Sequence, residues 1–391
     1  MISDRAQQIC PSATLAMNAK ALEMRKLGID VISFGAGEPD FDTPEHIKKA
    51  AIEAISAGFT KYTPTSGIPE LKQAIIAKFQ KDNDLIYTNK QILVSNGAKQ
   101  SLYVIIQTII NPGDEVIIPV PYWVSYEEMV KLASGKCVFV PSGKNFIATA
   151  NQIRKHVTKK TKAIILNSPS NPTGAVYDKE TLKEIAALCC KYNIYVLSDE
   201  IYEKLIYTKK HVSIASFGEE IKKQTIVING VSKTYAMTVW RIGYCGGPED
   251  IIKAASSLQD HMTSSPNSIA QKAAVAALKG SFANLEKMRK VYVKRRDYMV
   301  KRLKAIKGVS VSIPDGAFYV FADISSLYKN SLNSSALFCE QLLIQQHVAA
   351  VPGSAFGDDR FIRLSFATDM QSIIKGLDRI ESFVQSISKP K

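Results

Sequence analysis

AIILNSPSNPTGAVYDKETLKEIAALCCKYNIYVLSDEIY, residues Ala163–Tyr202, is the segment that decides the fold. It opens with an apolar β-type run, Ala163–Asn167, crosses a Pro- and Gly-containing turn, and enters a helix expected over Lys179–Tyr192. A second β-type run, Tyr195–Ser198, follows directly. Strand, crossover helix and strand, with strands apolar along their whole length, is the pattern of a parallel sheet covered on both faces. Such sheets bind ligands outside the carboxyl ends of their strands. Two polar clusters fall there: SPSNPTG (Ser168–Gly174), which holds Asn171 between turn residues, and DEIY (Asp199–Tyr202). A carboxylate at the end of a buried strand must meet a cation or hydrogen-bond donors. A protonated ring nitrogen would satisfy Asp199, with the Tyr202 phenol able to reach a ring oxygen. Capping of a helix by Asp199 is the plainer alternative.

Working outward, the next expected strand, Thr225–Asn229, leads into NGVSKTYAMTVWRIGY (Asn229–Tyr244). Lys233 stands just past the strand, preceded by Ser232 and followed eight residues later by Arg241. An amine desolvated at that place suits Schiff-base chemistry, and a guanidinium beside it suits a phosphate or carboxylate. A solvated lysine with an unrelated salt bridge is the bland reading. Upstream, strand Gln91–Val94 runs into SNGAKQ (Ser95–Gln100) and an apolar helix Ser101–Ile110. A glycine turn opening a helix presents free backbone N–H groups to an anion, and Ala98 leaves room for it. The motif PYWVSY puts Trp123 just past strand Glu115–Pro119, with Tyr122 and Tyr126 close by. An indole there can stack on a planar ring, although a core anchor is the commoner use. Gly37, in GAGEPDFDTPEH, permits close approach of backbone to ligand before a helix beginning at Thr43-Pro44. Tyr62, in the loop KYTPTSGIP, reads equally as a core or surface aromatic.

The flanks read differently. Residues Pro11–Gly28 form an expected helix, capped by Ser12 or Thr14, with Leu15, Leu22, Met24 and Leu27 as its apolar stripe. From Phe282 a long amphipathic helix leads into an α+β part with two strands in Gly308–Ile324, one over Val348–Val351 and a last one in FIRLSFA, Phe361–Ala367. The basic cluster Lys287–Lys304 reads as the exposed face of that helix. Arg363 stands inside an apolar strand and needs an anionic partner, either a structural carboxylate or a substrate's. The expected architecture is therefore α/β: a large domain, residues 43–285, with a mainly parallel doubly wound sheet covered by helices. A smaller α+β domain combines the N-terminal arm, 1–42, with residues 286–391.

Composition narrows the function classes. The 391 residues are 46% hydrophobic and 22% charged, as in ordinary globular proteins. No apolar run reaches the ~18–20 residues of a membrane span, and the N-terminus has neither a signal-peptide core nor an arginine-rich transit pattern. A cytoplasmic location is expected. The net charge of +14 raises nucleic acid as a partner, but the basic residues are scattered and no zinc-finger spacing appears, so anionic small molecules are preferred. The six cysteines form no CxxC pair or metal-ligand spacing, and no metal is expected.

Taken together, GEPDFDTP, KYTPTSGIPELK, SNGAKQ, PYWVSY, NSPSNPTGAVY, SDEIYE, SKTYAMTVWRIGY, GAFYVF and FIRLSFAT run in order along the chain. In this the chain resembles the fold-type I pyridoxal-phosphate enzymes, specifically class I aminotransferases of the bacterial aspartate aminotransferase type. The resemblance implies pyridoxal 5′-phosphate as cofactor, with Lys233 as Schiff-base lysine and proton shuttle. It implies Asp199 on the pyridinium nitrogen, Asn171 and Tyr202 on the ring's phenolate oxygen, and Trp123 stacked on the ring. Ala98, Lys99, Ser232 and Arg241 would bind the phosphate end, joined by Tyr62 from a neighbouring subunit, which implies a homodimer with shared active sites. Arg363 would clamp the substrate α-carboxylate, supported by Asn171, Trp123 and the backbone at Gly37.

For the distal carboxylate, HMTSSPNS (His261–Ser268) contains no arginine, and the branch resembled uses the lysine of the GAKQ turn, Lys99. That implies ping-pong transamination between L-aspartate and 2-oxoglutarate. Relatives acting on prephenate tend to carry a basic residue where Cys10 stands. Aromatic or prephenate transamination and a carbon–sulfur β-lyase are the enzymatic alternatives, and a ligand-sensing regulator domain is the non-enzymatic one.

Overall fold

The computed structural model describes residues 2–388 apart from 12, 144 and 330–331. Thirteen strands occur among the described residues. In chain order they are β1 (Ile32–Ser33), β2 (Ile92–Ser95), β3 (Glu115–Val120), β4 (Lys136–Pro141), β5 (Thr161–Asn167), β6 (Tyr195–Asp199) and β7 (Thr225–Gly230). There follow β8 (Gly243–Gly246), β9 (Ser310–Val311), β10 (Tyr319–Asp323), β11 (Val348–Ala349), β12 (Val351–Pro352) and β13 (Phe361–Ser365).

Seven of these form the central sheet, in the order β2-β8-β7-β6-β5-β3-β4. β8 runs antiparallel to both β2 and β7, and β3 through β7 pair in parallel. Successive residues of β5 serve opposite faces. Ile165 joins a core with Ile105, Ile118 and Leu197, whereas Ile164 and Leu166 join Leu182, Ile185 and Cys189 of helix Lys179–Tyr192. Both faces are covered by helices, which is why the parallel strands read as unbroken apolar runs. The helix spans Lys179–Tyr192 as expected; it begins where Asp178 accepts from Thr181 N–H and ends at Asn193 in the left-handed region.

The carboxyl ends of β5, β6 and β7 converge on one edge, together with the start of β8. Gly243 is required there: a Cβ on it would lie 2.1 Å from the amide nitrogen of Ala98. Beside this layer, β12-β13-β10-β9 form an antiparallel sheet, and β1 pairs in parallel with β11. Their shared core gathers Phe318, Val320, Leu364 and Phe366 against Met299 and Leu303 of helix Ala283–Ala305 and Phe383 of helix Met370–Ser388.

Several sequence expectations are corrected here. The single strand expected over Val348–Val351 is two strands in different sheets, the chain switching at Ala350. All four residues are fully buried, so hydrophobicity is blind to which partner each half takes. The N-terminal helix runs Ala13–Lys26, and Leu22 and Leu27 are exposed. Its inward stripe is Met17, Ala21 and the expected Met24, against Val31 and Leu343; Ser12 and the side chain of Leu15 lie outside the described residues. Helix Ala98–Ile109 starts three residues earlier than Ser101, at Ala98 after Gly97, with no side-chain cap to announce it. Thr43 does not cap helix Glu45–Ser56; its hydroxyl donates to Ala236 O and accepts from Trp240 Nε1. Within the basic cluster, Arg295 and Arg296 are buried rather than solvated.

Candidate active site

A cavity of about 690 Å³ opens at the convergent strand ends. Every residue expected at the site lines it except Tyr62, which is 92% exposed on the surface of this single chain.

Lys233 projects into this cavity from the loop after β7. Its Nζ donates to Gly37 O at 2.5 Å and lies 5.9 Å from the Phe318 ring. Burial is the main cause that brings its pKa down to about 8, with the Arg241 and Arg363 charges acting in the same sense and Glu38 against them. A neutral amine is thereby available near neutrality.

Asp199 closes β6 and is 4% exposed. Its Oδ2 accepts from Tyr126 Oη at 2.6 Å and its Oδ1 from Ile201 N–H at 3.3 Å. Burial raises its pKa to about 6, against the two hydrogen bonds. The carboxylate has no cation within ion-pair distance among the described residues, so a ligand carrying N–H⁺ would complete it. The helix-capping alternative does not hold: the residues after it form turns, not a helix. Tyr202, on the next turn, shares a 2.9 Å hydrogen bond with Tyr319 Oη. Asn171 is fixed by its own N–H, which donates to Asn167 Oδ1 at 2.8 Å.

Arg363 on β13 is 2% exposed. Its Nη1 donates to Asn171 Oδ1 and its Nη2 to Gly35 O, both at 3.0 Å, while Nε has no partner. The guanidinium lies 4.4 Å from the Tyr319 ring centroid and 5.0 Å from that of Phe356. No carboxylate pairs with it among the described residues, which removes the structural-carboxylate alternative. A buried guanidinium held only by neutral acceptors is an anion receptor, with Nε–H and the second hydrogen of each Nη left open.

At the other side, the first N–H groups of helix Ala98–Ile109 are uncapped, as the start of a helix provides. Arg241 lies against that turn, donating to Thr238 O at 2.9 Å and Asn96 O at 3.3 Å. Gly97 makes room for it: a Cβ there would lie 2.3 Å from Arg241 Nη2. Ser232 is buried beside Lys233. Lys99 Nζ sits 4.9 Å from the Trp123 ring, and burial lowers its pKa, with Arg241 adding to the effect. Neither Arg241 nor Lys99 has an acidic partner among the described residues. Trp123, half-buried, meets Tyr126 edge-on at 5.3 Å and 84°.

Among its lining, the cavity thus offers Arg363, Arg241 and Lys99 without acids, Asp199 without a cation and, in Lys233, an amine of pKa about 8. This donor set fits a phosphorylated pyridine aldehyde together with a carboxylate-bearing amine. Three contacts escaped the sequence reading: Tyr126 on Asp199, Tyr319 on Tyr202 and Asn167 under Asn171. The first two join residues 73 and 117 positions apart, which no local spacing signals, while the third lies within one turn, four residues apart. A further buried cluster, Glu200, Glu203 and His211, has metal-ligand proximity, but Lys78 already pairs with Glu203 inside it.

The family model for aminotransferase class I and II matches residues 29–380. The chain belongs to that family. It is 50% identical over 389 residues to an aspartate aminotransferase of Bacillus sp. (strain YM-2), covering 98% of this chain and 99% of the relative. It is 46% identical to an aspartate/prephenate aminotransferase of Nitrosomonas europaea, at 98% and 99% coverage. The solved aspartate aminotransferase of Thermus thermophilus with maleate superposes with a TM-score of 0.94 at 43% identity, covering 98% and 99% of the two chains. Class I and II aminotransferases depend in general on pyridoxal phosphate. The resemblance drawn from the sequence motifs and the doubly wound α/β fold are borne out.

Proposed function

We propose that this aminotransferase converts L-aspartate and 2-oxoglutarate into oxaloacetate and L-glutamate in two half-reactions, with pyridoxal 5′-phosphate as its cofactor. The observation that carries the reading is Arg363: a buried guanidinium with no acid to pair, in one cavity with a lysine titrating at about 8. Two cationic side chains, Arg363 and Lys99, suit a dicarboxylic amino acid better than a neutral one. The maleate in the Thermus thermophilus structure, itself a dicarboxylate, supports that choice.

When bound, pyridoxal phosphate supplies an electron sink for the substrate carbon that loses its proton. The protein's own groups do the rest. The helix start at Ala98 and Lys99, with Ser232 and Arg241, would hold the phosphate. Asp199 would hold the ring nitrogen; a cation beside its carboxylate offsets the burial that raises its pKa, so the acid stays ionised. Asn171 and Tyr202 would donate to the ring oxygen, and Trp123 would cover the ring. Arg363, with Asn171 and the Gly37 backbone, would fix the α-carboxylate and so orient the Cα–H bond. Lys233 would take that proton on its neutral amine and return it elsewhere.

Tyr62 and Val239, 92% and 82% exposed, suit an interface with a second copy that would lend Tyr62 to the site. Six unpaired cysteines support a cytoplasmic setting, and no helix among the described residues is long and apolar enough to cross a membrane. Stopped-flow spectroscopy of protein loaded with pyridoxal phosphate tests the reading. L-Aspartate alone should change the cofactor spectrum and release one equivalent of oxaloacetate per site, and 2-oxoglutarate should reverse the change. An unaltered spectrum with aspartate would refute it.

A further inference from the structure

Arg295 is 7% exposed in the middle of helix Ala283–Ala305, and its Nη1 donates to Asp40 Oδ1 at 2.8 Å. Neither group has another ion-pair partner among the described residues. The same helical turn grips the next residue of the loop. Phe41 meets Tyr292 edge-on at 5.5 Å, and the Arg295 guanidinium lies 5.5 Å from the Phe41 ring. A buried arginine spent on a loop calls for an account of what that loop carries.

It carries two of the site's contacts. Gly35 O accepts from Arg363 Nη2, so the placement of this backbone sets where that guanidinium points, and Gly37 O accepts from the free amine of Lys233. The loop is also tied to the segment after β7, by Thr238 Oγ1 donating to Glu38 and by Thr43 with Ala236 and Trp240. On the other side, Asp40 and Phe41 hold it to helix Ala283–Ala305. None of the groups assigned to the cofactor's phosphate or ring nitrogen lies on this loop.

We infer that Asp40 and Arg295 are a positioning pair for substrate binding: they fix the loop whose Gly35 carbonyl aims Arg363, without themselves touching substrate. The inference rests on the amino-acid reading above, and it separates two quantities that a general structural role would move together. Substrate affinity depends on the loop; cofactor affinity depends on other elements. A displacement of about 1 Å at such a contact is enough for large kinetic losses.

The test uses the holoenzyme and two variants. Asp40→Asn keeps the shape and a hydrogen-bond acceptor but removes the charge. The double variant Asp40→Leu/Arg295→Met removes both charges, so no unpaired guanidinium stays buried. Dissociation constants are measured for pyridoxal phosphate on the apo protein and for succinate, an unreactive dicarboxylate, on the holoenzyme, alongside KM and kcat for L-aspartate and a melting curve. The expected result is succinate binding weakened roughly tenfold or more and KM raised in step, with kcat within about threefold and cofactor affinity unchanged. Folded variants with wild-type succinate affinity and KM would overturn the inference. So would a parallel loss of cofactor affinity, or failure of both variants to fold, since either makes the pair a determinant of the fold at large. Wild-type protein that binds pyridoxal phosphate but neither succinate nor aspartate would overturn the substrate reading itself, and the inference with it.

Discussion

Replacing Arg363 by Lys isolates what a planar cation contributes to this site. Arg363 is held by two 3.0 Å hydrogen bonds, to Asn171 and Gly35, and by the Tyr319 ring 4.4 Å away, with Nε left for a ligand. An ammonium on a flexible stem keeps the charge but cannot hold two neutral acceptors and a carboxylate in one plane. One of two charge-assisted bonds to the substrate carboxylate is lost, worth about 2–3 kcal/mol. That converts to roughly 30- to 150-fold in kcat/KM for L-aspartate. The assay is the single-turnover half-reaction, with a melting curve to confirm that the variant is folded. The loss should exceed any change in affinity for pyridoxal phosphate, because the groups assigned to the phosphate, Ala98, Lys99, Ser232 and Arg241, lie outside β13. A folded Arg363→Lys protein with kcat/KM within about threefold of wild type would refute the bidentate clamp.

Further outcomes follow from the charges of the cavity. Lys233 titrates at about 8 in the folded protein against an ordinary 10.5, so its contribution to stability is present above 10.5 and lost as pH falls through 8. Apo wild type should therefore gain on Lys233→Met as pH rises across that window, measured by thermal melts; a constant difference would contradict the depressed amine. Lys233→Met should also abolish turnover, which residual transamination at the wild-type rate would disprove. Lys99→Met should cut kcat/KM for aspartate and glutamate roughly tenfold or more while sparing alanine, since only the distal carboxylate loses its cation. Equal losses for all three amino acids would argue against that role.

The legible parts of the molecule are those where local chemistry and global packing agree. The segment Ala163–Tyr202 was readable because its strands are buried on both faces and so read as unbroken apolar runs on either side of the helix. Lys233, Asp199, Asn171 and Arg363 were readable as site candidates because each is polar at a place that burial penalises. What the sequence could not show depends on partners in space. Val348–Val351 divides between two sheets although its apolar pattern is continuous. Leu22 and Leu27 are exposed because the N-terminal helix covers only a narrow strip, which small Ala21 and flexible Met17 and Met24 fill. Arg295 looked like one more solvated cation in a basic run until the fold brought Asp40 to it across 255 residues.

The central claim is that one amine, Lys233, receives the aldehyde of pyridoxal phosphate. Borohydride reduction of the reconstituted protein, followed by proteolysis and mass spectrometry of the peptides, tests it most directly. A single reduced phosphopyridoxyl adduct on the peptide containing Lys233 is predicted. An adduct confined to Lys99 or to surface lysines, or no adduct at all, would contradict it.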